Sequence, residues 1–361
     1  REGQQDSRCL LCKTSETMME YSYDLMSANP KGYDFSSPVV PMLKKIQTGF
    51  NCNFCHDPHS AEPRIIFAPL IESMTGENGR EKTVGSKAST PIEVVDMGLR
   101  GFTRKIGILK DYNANFQCGQ CHNAANRYLT YKWLKDDKPV RPEDLQKAGV
   151  SPYATEFFKD PLESWAWFKA KGWHQGVNGT TGVHYVNGSD HPHVEIMLQS
   201  KHGQAGVTCT DCHFARKADG KAEHQPSLVK LKVENTCMRS ACHGPGSKSN
   251  WTDPGQALYT IEAIQQEYRI RVQKMEMAAK DAQRIFMKLK AGEASLPQEV
   301  KEKLETAYEK YLSARDWYLT DLSSGFHDPE GFNRTVSVVT WELRKTNAAA
   351  QGALKKTPVK Q

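Results

Sequence analysis

No apolar run in this 361-residue chain approaches the ~20 residues that a membrane-spanning helix needs, so the chain is read as not membrane-spanning. Apolar residues are scarce throughout: 38% of the chain, against 25% charged, with a mean hydropathy of −0.64. That is low for this length. Either much of the chain is solvated, or something other than side chains fills its core. The net charge of +6 comes without a long basic run, because Lys, Arg, Asp and Glu are interspersed. Nucleic acid is therefore not an expected partner. Sustained alternation of apolar and polar residues is also missing, and little sheet is expected. There is no signal peptide and no initiating Met, and a chain that begins at Arg1 is expected to be a processed or truncated product. Finally, no cysteine stands alone.

The ten cysteines fall into five close pairs: Cys9 and Cys12, Cys52 and Cys55, Cys118 and Cys121, Cys209 and Cys212, Cys237 and Cys242. Disulfides, zinc or iron–sulfur ligation and covalent haem all use such pairs. The residue that follows discriminates between them. His56, His122, His213 and His243 each come directly after the second cysteine. Cys-x-x-Cys-His is the attachment signature of c-type haem. Two thiols one helical turn apart add to the two vinyl groups, and the adjacent His reaches the iron from the same side. Zinc sites space their ligands differently. Five macrocycles would also stand in for the missing apolar core.

Two pairs depart from the rule. In Cys237-Met238-Arg239-Ser240-Ala241-Cys242-His243, four residues separate the thiols. A longer loop can still bring both to the vinyls. In Cys9-Leu10-Leu11-Cys12-Lys13, Lys stands where the proximal His belongs. Either another residue supplies that iron, or the Lys13 amine is itself the ligand. An amine ligand requires a deprotonated, desolvated Lys. It is expected where the other axial position is kept for chemistry.

Eight further His remain: His59, His174, His184, His191, His193, His202, His224 and His327. Electron-transfer haems usually take a second axial ligand, commonly His. Four bis-His haems would use four of the eight. His59 follows His56 too closely to serve the same haem and is a candidate for a neighbouring one. His202, just before Cys209, and His224, just after His213, are placed to reach adjacent haems. His327 follows Gly325, between two helical segments. His174 and His184 lie in a Gly/Asn-rich loop, with turns marked by Asn178-Gly179 and Asn187-Gly188.

The expected fold is mainly α, a multihaem cytochrome c with little sheet. Residues 1–250 form a haem-organised, five-haem catalytic and electron-transfer domain. Residues 251–361 form a long-helix region for packing and dimerisation. Asp253-Pro254 reads as an N-cap with Pro at the first helical position, and Gly292 ends that helix after roughly 35 residues. A second helix starts at Ser295-Leu296-Pro297 and closes at Gly325. A third starts at Asp328-Pro329 and fades into a Lys-rich tail. Their apolar residues recur at helical spacing, so each needs a partner surface.

The order of motifs resembles the cytochrome c nitrite reductase family: Cys-x-x-Cys-Lys, four further haem motifs, then long C-terminal helices. Cys118-Gly119-Gln120-Cys121-His122 resembles the family's third motif, and Val207-Thr208-Cys209-Thr210-Asp211-Cys212-His213, preceded by His202-Gly203, its fourth. His191-Pro192-x-x-Glu195 resembles the segment that carries the family's catalytic His. Ser324-Gly325-Phe326-His327 resembles its last distal ligand. The resemblance implies that Lys13 is the proximal ligand of the active haem, with His191 on its distal face. It implies a distal Tyr after the third motif, at Tyr128 or else Tyr131. The family's Glu beside that Tyr and its Lys-x-Gln before the catalytic His hold calcium. Here Arg127 and Gly188-Ser189-Asp190 stand there instead, a departure that weighs against calcium. The family's catalytic Arg lies upstream of the Lys motif, and only eight residues precede Cys9 here. The long spacing from Cys121 to Cys209 is similar to that of octahaem relatives, so the chain reads as the C-terminal part of such an enzyme.

The resemblance implies six-electron reduction of nitrite to ammonium at the Lys13 haem, with the other haems passing electrons. His191 and Tyr128 would donate hydrogen bonds and protons as the N–O bonds break. It further implies a periplasmic bacterial protein, fed by a redox partner such as a quinol-oxidising cytochrome, and a homo-oligomer. Two alternatives stay open. One is an electron-transfer cytochrome without catalysis, which requires six-coordinate low-spin iron throughout. The other is a related enzyme acting on hydroxylamine or sulfite.

Overall fold

The computed structural model describes residues 10–24, 39–44, 46–75, 92–96, 105–110, 113–123, 127–128, 134–140, 153–154, 157–186 and 191–356. The chain forms two compact units. The first comprises 1–133 with 139–157, the second 134–138 with 158–361.

In the first unit, the helices are α1 (Ser15–Asp24), α2 (Val39–Leu43), α3 (Ala68–Thr75) and α4 (Ala114–Cys118). The strands are β1 (Arg64–Ile65), β2 (Ile92–Asp96), β3 (Lys105–Leu109), β4 (Arg127–Tyr128) and, later in the chain, β7 (Tyr153–Ala154). β3 is the central strand of an antiparallel sheet ordered β1–β3–β2. Four consecutive residues of it, Ile106 to Leu109, are buried. A strand covered on both faces shows no alternation, so the sequence pattern could not reveal it. Ile65, Leu70 and Ile71 complete this small core.

The second unit opens with β5 (Leu134–Lys135), whose chain turns at Asp136–Asp137 into β6 (Lys138–Pro139). β5 pairs antiparallel with β8 (Trp173–His174). Between them in the chain lies α5 (Pro161–Ala170), capped by Asp160, whose carboxylate accepts from Leu162 N and Glu163 N, both at 2.9 Å. Three short helices follow: α6 (His193–Gln199), α7 (Lys201–Gln204) and α8 (Cys209–His213).

Three long helices complete the unit: α9 (Pro254–Lys290), α10 (Gln298–Leu319) and α11 (Pro329–Lys356). α9 begins as its sequence predicts, with Asp253 accepting from Gly255 N at 2.7 Å and Gln256 closing a capping box. Its buried stripe of Ile261, Tyr268, Met275 and Ala282 repeats every seven residues. α11 answers with Phe332, Val336, Val339, Leu343 and Ala350. Such spacing gives coiled-coil-like packing between neighbouring helices. Polar bonds tie the layers: Tyr311 OH donates to Glu276 Oε2 at 3.0 Å, and Asn347 Nδ2 to Ala278 O at 2.8 Å. α10 ends at Leu319, ahead of the expected Gly325. The carboxylate of Asp321 gathers Ser323 N and Gly325 N into a turn and stops the helix. Among the described residues, no helix is long and apolar enough to cross a membrane. The change of character expected near residue 250 is a change of secondary structure inside the second unit.

Candidate haem sites

Each of the four Cys–His motifs is a tight turn that presents two thiols and one ring. Asn51 caps the second motif by accepting from Asn53 N at 3.0 Å, and Asn113 caps the third by accepting from Asn115 N at 2.9 Å. His56 N then donates to Cys52 O at 2.9 Å, and His122 N to Cys118 O at 3.0 Å. The fifth motif has two extra residues, yet His243 N still donates to Cys237 O, at 3.0 Å. The longer loop bulges while the backbone bond from the His to the first Cys is kept. The fourth motif is α8 itself, held by a capping box in which Thr208 N donates to Asp211 Oδ2 at 2.9 Å. In the first motif Lys13 N donates to Leu10 O at 2.9 Å, and the Lys13 side chain is exposed. Cys9 lies outside the described residues.

The rings are anchored by one nitrogen. His56 Nδ1 lies 2.9 Å from Ala61 O, His213 Nδ1 3.1 Å from Ser227 O, and His243 Nδ1 2.8 Å from Ser249 Oγ. Such bonds fix the tautomer and leave Nε2 for a metal. Two ring pairs then meet edge-on in the second unit, at interplanar angles of 68° and 81°. His213 and His327 lie 6.2 Å apart between ring centroids, and His202 and His243 lie 6.0 Å apart. An iron bound by one imidazole on each face holds the two centroids roughly 6 Å apart, given Fe–N bonds of about 2 Å. Desolvation, and after it the charges of the neighbouring rings, holds His202 in its neutral form to lower pH. Desolvation does the same for His213, with His327 adding to it against the Ser227 bond. Neutral imidazole is the ligating form.

The thiols cluster in the same way. The nine described cysteines are all free. Cys12 and Cys121 share a hydrogen bond that pushes the Cys121 thiol up and the Cys12 thiol down, so the first and third motifs meet. Burial, helped by Cys118, raises Cys55 to about 11. Burial, helped by Cys237, raises Cys212 to about 12, so the fourth and fifth motifs also lie together. Residues 201–250 carry these last two motifs, and only five of the fifty are buried. A segment with so little side-chain core, yet with converging thiols and anchored rings, fits a large apolar group attached through them.

The remaining sequence candidates fall as follows. His191 is exposed, on a left-handed backbone turn with φ +57°, and its ring is 5.7 Å from His193. Tyr128 is on β4, with Tyr153 as its register partner, while Tyr131 lies outside the described residues. His59 is exposed, its backbone N–H donating to Asp57 Oδ1 at 2.9 Å. His224 is exposed beside Phe214, 6.1 Å away, so no described histidine ring is paired with it at axial spacing. Sequence reasoning missed Asp321. It is buried, and His327 Nδ1 lies 3.1 Å from its Oδ1. Burial works to raise this carboxyl, but the His327 hydrogen bond and charge outweigh it and hold it at about 2. His193 joins the same cluster, its Nε2 accepting from Leu322 N at 3.2 Å. No local pattern marks Asp321, since its role depends on the turn that ends α10.

Several known proteins are similar to this chain. The model of the cytochrome c552 family matches residues 1–361. Cytochrome c-552 of Bacteroides thetaiotaomicron is 25% identical over 67% of this chain and 40% of its own length. The cytochrome c nitrite reductase subunit NrfA of Nitratidesulfovibrio vulgaris is 22% identical over 89% of this chain and 55% of its own length. The chain therefore spans about half the length of the curated relatives it matches, or less. Among solved structures, the NrfA catalytic subunit of cytochrome c nitrite reductase from Desulfovibrio desulfuricans, which has two calcium sites, superposes with a TM-score of 0.64 at 20% identity. The match covers 97% of this chain and 66% of that one.

Proposed function

Because this chain belongs to the cytochrome c552 family, we propose that its five cysteine pairs carry covalent haem c and that it reduces nitrite to ammonium. The observation that carries this reading is Lys13. Three of the four motif His rings are tied through Nδ1 to a fixed oxygen, whereas the residue in the equivalent place of the first motif is a lysine, with an amine in place of an imidazole. A site ligated differently from the rest is the one set apart for chemistry.

Haem iron supplies one-electron transfer and a place for a small anion to bind. The overall change, NO₂⁻ + 8 H⁺ + 6 e⁻ → NH₄⁺ + 2 H₂O, leaves the protein to deliver protons. His191 and Tyr128 are assigned that task, donating to the oxygens as they leave nitrogen. Lys13 would hold the iron of that haem. His213 with His327, and His202 with His243, would hold two electron-transfer haems, a pairing supported by their ring separations. His56 and His122 would hold two more, with His59 and His224 as candidates for their second ligands. Asp321 is a positioning residue that fixes the His327 ring. Calcium forms no part of the proposal, because Arg127 and Gly188-Ser189-Asp190 stand where the family has Glu and Lys-x-Gln. Electrons come from a quinol-oxidising cytochrome on the periplasmic side. Two copies pair through the long helices, which leave Met277, Met287 and Trp341 exposed.

The haem-loaded protein should contain a high-spin, five-coordinate haem by electron paramagnetic resonance, shifted by nitrite. Lys13→Gln should lower kcat for ammonium formation by more than about a hundredfold, the loss typical of removing a group that acts at the reacting centre. The low-spin signals of the other haems should persist. Low-spin iron throughout, indifferent to nitrite, would overturn the enzyme reading in favour of electron transfer alone.

A further inference from the structure

The geometry points to a second metal site, for a divalent transition ion of the zinc type, built from Asp137, His174 and His184 in the second unit. None of the three follows a cysteine motif or takes part in the ring pairs above.

Two pieces of backbone bring them together. The first is the Asp136–Asp137 turn, where both residues adopt left-handed φ, +49° and +62°. Asp tolerates that conformation better than most residues, and such a turn suits the twist of a two-stranded ribbon. Asp136 N donates to Gly172 O at 2.9 Å. Gly172, itself at φ +70°, must lack a side chain because a Cβ there would strike the Asp136 carboxylate. The second piece is the loop from His174 to Val186. Gln175 N donates to Tyr185 O at 2.7 Å and Tyr185 N to Gly176 O at 2.8 Å, which folds His184 back over His174. Asn178 closes the loop's tip by accepting from Thr180 N and Thr181 N, and Lys290 Nζ ties it to α9 through Gly179 O.

The two rings stack, with centroids 4.4 Å apart and an interplanar angle of 26°. Both Nε2 atoms approach one oxygen: Asp137 Oδ1 is 3.2 Å from His174 and 3.3 Å from His184. Donors around one tetrahedral ion with bonds of about 2.0–2.1 Å stand roughly 3.3–3.4 Å apart. The observed separations match that edge. An ordinary imidazole–carboxylate pair does not account for them. The His174 side chain is only 6% exposed, and its Nε2 has no hydrogen-bonding partner despite the nearby oxygen. It is oriented as a co-ligand of Asp137 and not as a donor to it. A cation on the two Nε2 lone pairs gives the buried His174 nitrogen its partner.

The surroundings favour a cation. Asp137 is 70% exposed and His184 40%, which leaves room for water in the remaining coordination positions. His184 lines a cavity of about 200 Å³ with Glu302, Glu305 and Glu309; Glu309 is paired with Lys169 at 2.7 Å and Glu305 with Lys301 at 3.7 Å, which leaves three carboxylates against two cations. The excess of carboxylates concentrates cations near the site. Two imidazoles and one carboxylate suit zinc or a neighbouring first-row ion better than calcium or magnesium, which prefer oxygen alone.

The test uses the haem-loaded full chain, freed of loose metal by a chelator and titrated calorimetrically with Zn²⁺. Wild type should bind Zn²⁺ at a site that His184→Ala and Asp137→Asn each weaken by at least about tenfold, at unchanged haem content. Asp137 is exposed and His184 half-exposed, and neither belongs to the buried hydrophobic core. Zn²⁺ should also raise the melting temperature of wild type more than that of either variant. Equal Zn²⁺ uptake and affinity in all three proteins would overturn the proposal, as would no uptake by wild type.

Discussion

The segment from Lys201 to Asn250 and the helices from Pro254 to Lys356 are neighbours in sequence and lie within one compact unit, yet they are built on different principles. The first has two cysteine motifs, helices of four and five residues, and buried side chains at only five positions. The second has helices of 37, 22 and 28 residues and a continuous apolar seam. In the helices, each turn adds another layer of Ile, Tyr, Met, Trp or Ala to the same interface, so the core grows with length. In the motif segment, local bonds fix short turns, but little apolar surface is hidden. Burial at about 25 cal/mol per Å² cannot offset backbone ordering of roughly 1–2 kcal/mol per residue when so few side chains are covered. A cofactor that joins the turns covalently supplies the missing surface and closes the loops between them. The low apolar content of the whole chain is thus concentrated where macrocycles replace side chains.

The strongest way to break this comparison is to remove one attachment. Replacing Cys209 and Cys212 together by Ser should yield protein with one haem fewer by pyridine haemochrome. The motif segment should become the first site of proteolysis, and the far-UV helix signal of α9 to α11 should be largely retained. Loss of that helix signal along with the haem would show that the long helices depend on the cofactor too, and the distinction between the regions would fall.

Most of this division was legible in the residues. The helix starts were written in Asp253-Pro254 and Asp328-Pro329, because Asp caps and Pro fits only the first turn. The haem motifs were legible because attachment chemistry demands two thiols and a ligand within a few residues. What escaped was whatever depends on contacts between distant segments. The end of α10 was expected at Gly325 and lies at Leu319, since Asp321 collects the following N–H groups into a turn. The pairing of His213 with His327 joins residues over a hundred positions apart, and no spacing rule reaches that far. His174 and His184 looked like loop residues for the same reason. Their meeting depends on backbone bonds between the two arms of the loop and on Asp137 from another turn.

The next test acts on the helical side of the comparison. Trp317 is 1% exposed, the largest side chain so deeply buried among the described residues. Trp317→Ala should cost about 3–5 kcal/mol through lost burial and the cavity left behind. The check is the denaturation midpoint followed at 222 nm. The ring pairs are not formed by residues of α10, so the haem spectra should change little at temperatures below the transition. A shift of less than about 1 kcal/mol would mean that the interface collapses around the gap and is less tightly packed than its burial implies.

The smallest effect gives the finest comparison, because both regions use the same device. Asp253 with Gln256 and Thr208 with Asp211 are capping boxes, one starting a helix of 37 residues and the other a helix of five. Asp253→Ala removes one acceptor from an end that three helices of packed side chains hold in place. It should cost about 1 kcal/mol and leave helix content unchanged. Thr208→Ala removes a hydroxyl that donates to Asp211 Oδ2 at 2.9 Å, and α8 is otherwise held mainly by Arg216 and Arg239 on Asp211 and by the bonds to its own thiols and ring. The same free energy is there a large share of what orients His213 toward His327. If the regions differ as argued, Asp253→Ala should move only the melting temperature. Thr208→Ala should in addition alter the low-spin signal of the haem held by His213. Equal and purely thermal effects from both would show that the motif segment is as well supported by its own side chains as the helices are.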